Sequence, residues 1–355
     1  MLSCTKTPET YHTPFTDQEL GQLLVIGFRG TELDKEHPVI NDLKEWNIGG
    51  VILYDYDYLT REPNRNITSP DQLLKMAGAL ISNSPVPPII AVKQNGGQDS
   101  PLKHAYGFPS TKEPSYFGMH SEPDTVQKYV RNLAQEFLVV GVNTNMHPRV
   151  DLGSQTALFG NTPEMVVEAM NGILDEYDQE GIFSVPGYFP GYSPGYTSSD
   201  ENDDITNQWS SDYLSPYETL IQERSIGGIM TAHSFNAQID SIWPGTLSKK
   251  VVTGLLRDSL NFDGVIFSDD LQKPIITSKY DQETAISQAI NAGIDILVLG
   301  NNFVYDEHLA EHTIRTIQKL ISEGKIKPER IEASLARVKQ LKDDVIAELC
   351  TCLNF

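Results

Sequence analysis

Val265-Ile266-Phe267-Ser268-Asp269-Asp270-Leu271 is the stretch on which the fold reading turns. Three large apolar residues follow one another without polar alternation, the mark of a strand buried on both faces, Val265 to Ser268. The run halts at two adjacent carboxylates. Amphipathic stretches flank it, Ser248 to Leu260 before and Gln282 to Ala292 after, and a new apolar run, Asp295 to Leu299, comes next. Strand, helix, strand is the repeat of a parallel sheet, because two parallel strands need a crossover between them.

The same unit recurs toward the N-terminus. Strand-like runs lie at Leu23 to Phe28, Gly50 to Tyr54, Pro88 to Val92, Val142 to Met146, Ile182 to Val185 and Gly228 to Ala232. Helical patterns fall between them at Ser69 to Ser82, Glu122 to Val140, Pro163 to Glu180 and Ser215 to Ser225. Ser69-Pro70-Asp71 carries the N-terminal signal of a helix, a capping hydroxyl followed by proline. Right-handed crossovers leave an open doubly wound sheet or a closed barrel. Eight strand runs over most of the chain favour the barrel. The expected fold is therefore α/β, a TIM-type (β/α)8 barrel in a single domain. Two extra C-terminal helices, Asp306 to Gly324 and Pro328 to Leu349, are expected to pack outside it. The expected boundaries are an N-terminal tail at 1–15, the barrel at 16–345 and a C-terminal tail at 346–355.

Acids outnumber bases 48 to 27, a formal charge of -21. So acidic a surface repels phosphate backbones and anionic lipid, which argues against nucleic acid and membrane surfaces as partners. No apolar run is long enough to span a bilayer. Cys4, Cys350 and Cys352 all sit at the ends of the sequence, which argues against a disulfide framework and for a reducing, cytoplasmic setting. Leu2-Ser3-Cys4 leaves a processed bacterial lipoprotein, or a periplasmic protein, as the alternative. No cofactor is expected: there is no phosphate loop, and Gly27-Phe28-Arg29-Gly30 is not a dinucleotide fingerprint. No metal is expected either. His308-Leu309-Ala310-Glu311-His312 has zinc-hydrolase spacing, but it lies on a peripheral helix and suggests no third ligand.

After the fifth strand run the chain repeats a tetrad: Pro186-Gly187-Tyr188-Phe189, Pro190-Gly191-Tyr192-Ser193, Pro194-Gly195-Tyr196-Thr197. Pro-Gly in succession reads as turns. The acidic cluster Asp200, Glu201, Asp203 and Asp204 follows, in a long loop at the end of the barrel where active sites form.

Several of these segments, in order, resemble glycoside hydrolase family 3. They are Ile48-Gly49-Gly50-Val51-Ile52-Leu53, Ala91-Val92-Lys93-Gln94-Asn95-Gly96-Gly97, Met146-His147-Pro148-Arg149-Val150-Asp151, Phe159-Gly160-Asn161-Thr162-Pro163-Glu164, Phe189-Pro190-Gly191, Met230-Thr231-Ala232-His233 and Phe267-Ser268-Asp269-Asp270-Leu271. The nearest branch is the single-domain β-N-acetylhexosaminidases of peptidoglycan recycling. The resemblance implies a barrel that cleaves β-glycosides with retention. An aspartate attacks the anomeric carbon, and an Asp-His pair on a mobile loop acts as acid and base. Asp269 falls on the nucleophile position.

The rest of that pattern is broken. Where the family has an aspartate that grips sugar hydroxyls, this chain has Lys93; the following glutamate is Asn95 and the arginine is Gln98. An arginine expected before Phe159 is Ala157, and a lysine and two histidines are missing around Phe189-Pro190-Gly191. The acid/base pair falls on Ser198-Ser199-Asp200, so both members are replaced. Asp200 is the remaining candidate acid, provided burial raises its pKa. Lys93, His147, Asp151, Tyr188, Tyr192 and His233 are the candidate contacts to a carbohydrate, a β-glycoside or amino sugar. The losses point to altered or abolished hydrolysis. The alternative is a non-catalytic protein that binds carbohydrate or another protein through the same cleft. A deciding question is whether the Lys93 ammonium occupies the sugar subsite and pairs with Asp269.

Overall fold

The computed structural model describes residues 11–94, 96–97, 100–112, 123–150, 152, 159–160, 162–191, 204–224 and 226–346. The apolar runs form strands β1 (Leu24–Ile26), β2 (Gly50–Ile52), β3 (Ile89–Val92), β4 (Thr144–Asn145), β5 (Phe183–Ser184), β6 (Gly187–Phe189), β7 (Gly228–Thr231), β8 (Val265–Phe267) and β9 (Leu297–Leu299). All residues of these strands are buried, as continuous apolar runs require.

Pairing among these strands is parallel, in the orders β9-β1-β2-β3-β4-β5 and β6-β7-β8, and a separate antiparallel pair, Tyr56–Asp57 with Glu62–Pro63, lies in the loop after β2. Val185 and Pro186 alone separate β5 from β6, so these are two pieces of one stave. A parallel bridge from Arg149 to Gly187 joins the chain beyond β4 to that stave, and another from Phe267 to Ile296 joins β8 to the approach of β9. The eight staves thus close into a TIM-barrel-like ring with helices outside.

The helices start where their caps lie. Ser69 accepts from the Gln72 amide ahead of the helix Pro70–Ser82. Thr162 and Asp281 do the same for Pro163–Gln179 and Gln282–Ala292. The helix expected over Ser248 to Leu260 runs from Lys250 to Ser259 and winds more widely than an α-helix. The two outer C-terminal helices are Leu309–Ser322 and Pro328–Leu341.

The reading of Pro186 to Thr197 as turns needs correction in its first tetrad. Gly187–Phe189 is a strand, with Gly187 beside Met230 and Phe189 beside Thr231. The backbone pairing of a closing barrel overrides the local turn preference. Glycine suits the register, since a Cβ at Gly187 would lie 3.1 Å from the Met230 Cβ. The turn begins one tetrad later, where the Gly191 amide donates to the Tyr188 carbonyl at 2.9 Å. Residues 192–203 lie outside the described residues.

At the N-terminal end of the strands Asp295 ties strands to helices. It is fully buried and accepts from Arg257, Arg330 (2.7 Å), Arg337 (3.3 Å), Ser334 (2.7 Å) and the Ile266 amide (3.0 Å). Arg257 donates also to the Phe262 and Gly264 carbonyls. Three forked guanidiniums saturate one carboxylate, a geometry lysine cannot match.

Candidate active site

Side chains converge at the opposite, C-terminal end of the staves, where a (β/α) barrel presents its loops. Lys93 follows β3, His147 follows β4, Tyr188 sits in β6, His233 follows β7 and Asp269 follows β8. Backbone and side-chain bonds fix these strand ends. The Ser268 amide donates to the Ile296 carbonyl and the Leu271 amide to Val298, while the Ser268 hydroxyl accepts from the Val298 amide. Asn145 holds both the amide and the carbonyl of Gln94, which anchors Lys93 from the adjoining stave.

Asp269 is the centre of the site and is 1% exposed in its side chain. Its Oδ1 accepts from the Lys93 ammonium at 2.7 Å and from the Asp270 amide at 2.8 Å. Its Oδ2 accepts from the Lys273 ammonium at 2.6 Å. One part of the question raised by the sequence is answered: Lys93 does pair with this carboxylate. Burial alone would raise the Asp269 pKa; Lys273 and Lys93 outweigh burial and hold it well below the usual carboxylate range. Burial would likewise lower Lys93, but Asp269 holds it firmly protonated. Lys93 also lies 3.3 Å from the Tyr188 hydroxyl, and its ammonium is 5.4 Å from that ring's centre. The Lys273 ammonium is 6.0 Å from the same ring.

Asp270 turns the other way. Its Oδ1 accepts from the Gln272 and Gly300 amides at 3.0 and 2.9 Å. Its Oδ2 is buried with no hydrogen-bond partner among the described residues, and burial raises its pKa. A Cβ on Gly300 would lie 2.3 Å from that Oδ2 and 2.7 Å from the Tyr54 hydroxyl, so only glycine fits beside them.

Both histidines are neutral. His233 is fully buried; its Nε2 lies 2.8 Å from the Asp270 carbonyl and its Nδ1 3.0 Å from the Thr246 hydroxyl. Nε2–H donates to the carbonyl, and burial pulls the pKa down to about 4. With both nitrogens engaged, this ring braces the Asp269–Asp270 turn and offers nothing to a sugar. His147 stands edge-on to Tyr188, with ring centres 6.0 Å apart, and its buried Nδ1 has no hydrogen-bond partner among the described residues. Burial, then Lys93 and Arg149, push its pKa well down.

Lys93, His147, Tyr188, His233 and Asp269 are therefore gathered in one place. Tyr188 is buried in the barrel wall, not set in an exposed turn. Asp151, Tyr192 and Asp200 lie outside the described residues, as do Asn95, Gln98 and Ala157. Of the acidic run after Asp200, Asp204 is exposed and caps its own turn, accepting from the Thr206 amide at 2.9 Å. Lys273 is the residue that sequence reading missed; its one signal is a cation four positions beyond the strand-end Asp269. In the outer His308–His312 motif, His312 Nδ1 binds Asp306 at 2.6 Å. Among the described residues no cluster of three or more His, Cys, Asp or Glu could hold a metal ion. No helix among them is long and apolar enough to cross a membrane.

Comparison with known proteins places this arrangement. A curated β-hexosaminidase from Alkalilimnicola ehrlichii is 28% identical over 295 residues, covering 79% of this chain and 80% of that protein. Two solved structures share the fold. A glycoside hydrolase family 3 β-N-acetylglucosaminidase from Paenibacillus superposes with a TM-score of 0.79 at 23% identity, over 93% of this chain and 62% of its own. A β-N-acetylhexosaminidase from Beutenbergia cavernae gives 0.75 at 21% identity, over 92% of this chain and 98% of its own. Residues 15–341 match the glycosyl hydrolase family 3 N-terminal domain, and the chain belongs to that family.

Proposed function

We propose that this barrel binds carbohydrate at the C-terminal end of its strands but does not carry out the β-N-acetylhexosaminide hydrolysis for which its relatives are named. The carrying observation is the pairing of Asp269 with Lys93 on one oxygen and Lys273 on the other. A retaining glycosidase needs an ionised carboxylate with a free lone pair aimed at the anomeric carbon. Asp269 is ionised, but three donors already fill most of its roughly four acceptor sites, two on Oδ1 and one on Oδ2, and both ammoniums weaken the nucleophilicity of the lone pair that remains. Its basicity is spent on the ammoniums.

Charge in the transition state argues in the same direction. The sugar ring becomes an oxocarbenium ion, so the groups around it should sum negative. The two ammoniums and Asp269 sum to one positive charge by themselves, and even with Asp270 ionised beside them the set reaches only neutrality. The family resemblance puts the acid/base pair on Ser198-Ser199-Asp200, and replacement of that pair would compound this, because general acid catalysis supplies about a hundredfold to ten-thousandfold. The container persists and the reaction does not, which is the character of a pseudoenzyme.

Incubation with aryl β-N-acetylglucosaminide and a panel of other aryl β-glycosides tests the reading. Release of the aryl group should be the same for the wild type and for Asp269→Ala. Turnover that vanishes in Asp269→Ala would replace this reading with a working glycosidase.

A further inference from the structure

Two lysine ammoniums share one carboxylate at this site. A lysine ammonium has three N–H donors and no acceptor. Lys93 donates to Asp269 and reaches Tyr188, while Lys273 donates to Asp269. The natural acceptor of the site, Asp269, already receives Lys93, Lys273 and the Asp270 amide. Asp270 contributes no acceptor toward the mouth through Oδ1, which is bound to the backbone of Gln272 and Gly300. A neutral sugar presents hydroxyls that both donate and accept, whereas the ammoniums only donate. A carboxylate accepts only.

Resting on the carbohydrate-binding reading above, we propose that the barrel mouth selects an anionic sugar, a sugar acid whose carboxylate is received by the ammoniums of Lys93 and Lys273. The Lys93 side chain is 17% exposed against 8% for Lys273, which makes it the more open of the two cations on Asp269. Tyr188 lies beside both ammoniums and helps fix where they stand at the mouth. His147 Nδ1, buried and without a partner among the described residues, belongs to a ring set edge-on against that same tyrosine. A sugar hydroxyl donating to it would join the anionic group and the ring in one pose.

Calorimetric titration of the full chain separates the outcomes. The probes are glucuronate, glucose, glucose phosphate and acetate. Glucuronate should bind about tenfold or more tighter than glucose, as expected when a charge-assisted hydrogen bond replaces a neutral one. Its affinity should fall as salt rises, a measurement on the wild type that requires no variant to fold. Lys273→Met and Lys93→Gln, checked for folding by circular dichroism, should lose the preference for glucuronate over glucose. Glucose phosphate binding more tightly than glucuronate would keep the anionic sugar and overturn the carboxylate. Glucose binding as well as glucuronate, acetate binding as well as glucuronate, or no binding by any probe would overturn the inference. None of these results produces aryl-glycoside turnover, which is the failure of the reading beneath it.

Discussion

Two buried aspartates, one at each end of the barrel, are held by cations in different ways. Asp295, at the N-terminal end, is clasped by three arginines drawn from the helices outside. Asp269, at the C-terminal end, is held by two lysines rooted in the loops that line the mouth. Guanidinium forks are rigid, and these reach backbone carbonyls as well, so the Asp295 cluster acts as a bolt between strands and helices. Ammoniums on flexible stems can re-aim their remaining donors. The same ionic principle builds scaffold at one end and a cluster at the barrel mouth at the other.

Removing each carboxylate probes this contrast with the largest effect. Asp295→Ala leaves three arginines facing a buried gap and should cost about 3 to 5 kcal/mol in urea unfolding. Asp269→Ala should cost less, about 1 to 3 kcal/mol, because the freed ammonium of Lys93 can turn to water. A larger loss at Asp269 than at Asp295 would reverse the assignment of scaffold and site.

Gly300→Ala comes next. Its methyl must displace Asp270 Oδ2 or the Tyr54 hydroxyl, and the overpacking should cost about 1 to 3 kcal/mol in the same assay. A neutral result would mean that the wall behind Asp269 is softer than its packing indicates.

The smallest effect is on pH dependence. His233 titrates near 4 in the fold and near 6.5 when unfolded, so the unfolded chain takes up the proton first as pH falls. Stability from this group is complete above about pH 6.5 and drains away as pH falls toward 4. Between pH 7 and 5 the loss should be on the order of 1 to 2 kcal/mol. His233→Gln keeps a donor for the Asp270 carbonyl and removes the titration, so its stability should fall less across that interval. Asp42 and Glu136, each raised by burial to about 7, pull in the opposite direction in both proteins and cancel from the difference. Equal slopes would show that His233 is not a neutral brace.

Much of the barrel is legible in the sequence because strands buried on both faces have to be apolar throughout and helices begin at visible caps. Ser69, Thr162 and Asp281 each sit at a helix start for that reason. The segment Gly187–Phe189 is misread because Pro-Gly chemistry is local and stave pairing is not. Asp295 carries no signal of its own, since Arg257, Arg330 and Arg337 meet it only after folding. Lys93 is noticeable because it reverses the charge expected from the family pattern. Lys273 goes unseen, although its spacing from Asp269 places it within reach once the strand has ended.

The central claim is that Asp269, engaged by two ammoniums, is no longer a nucleophile. An aryl glycoside with a dinitrophenolate leaving group and a fluorine beside the anomeric carbon tests it directly, since that group departs without an acid and the fluorine slows release of any glycosyl-enzyme. Intact-mass spectrometry of the wild-type chain after incubation should show an unmodified protein. A glycosyl adduct mapped to Asp269 would contradict the account.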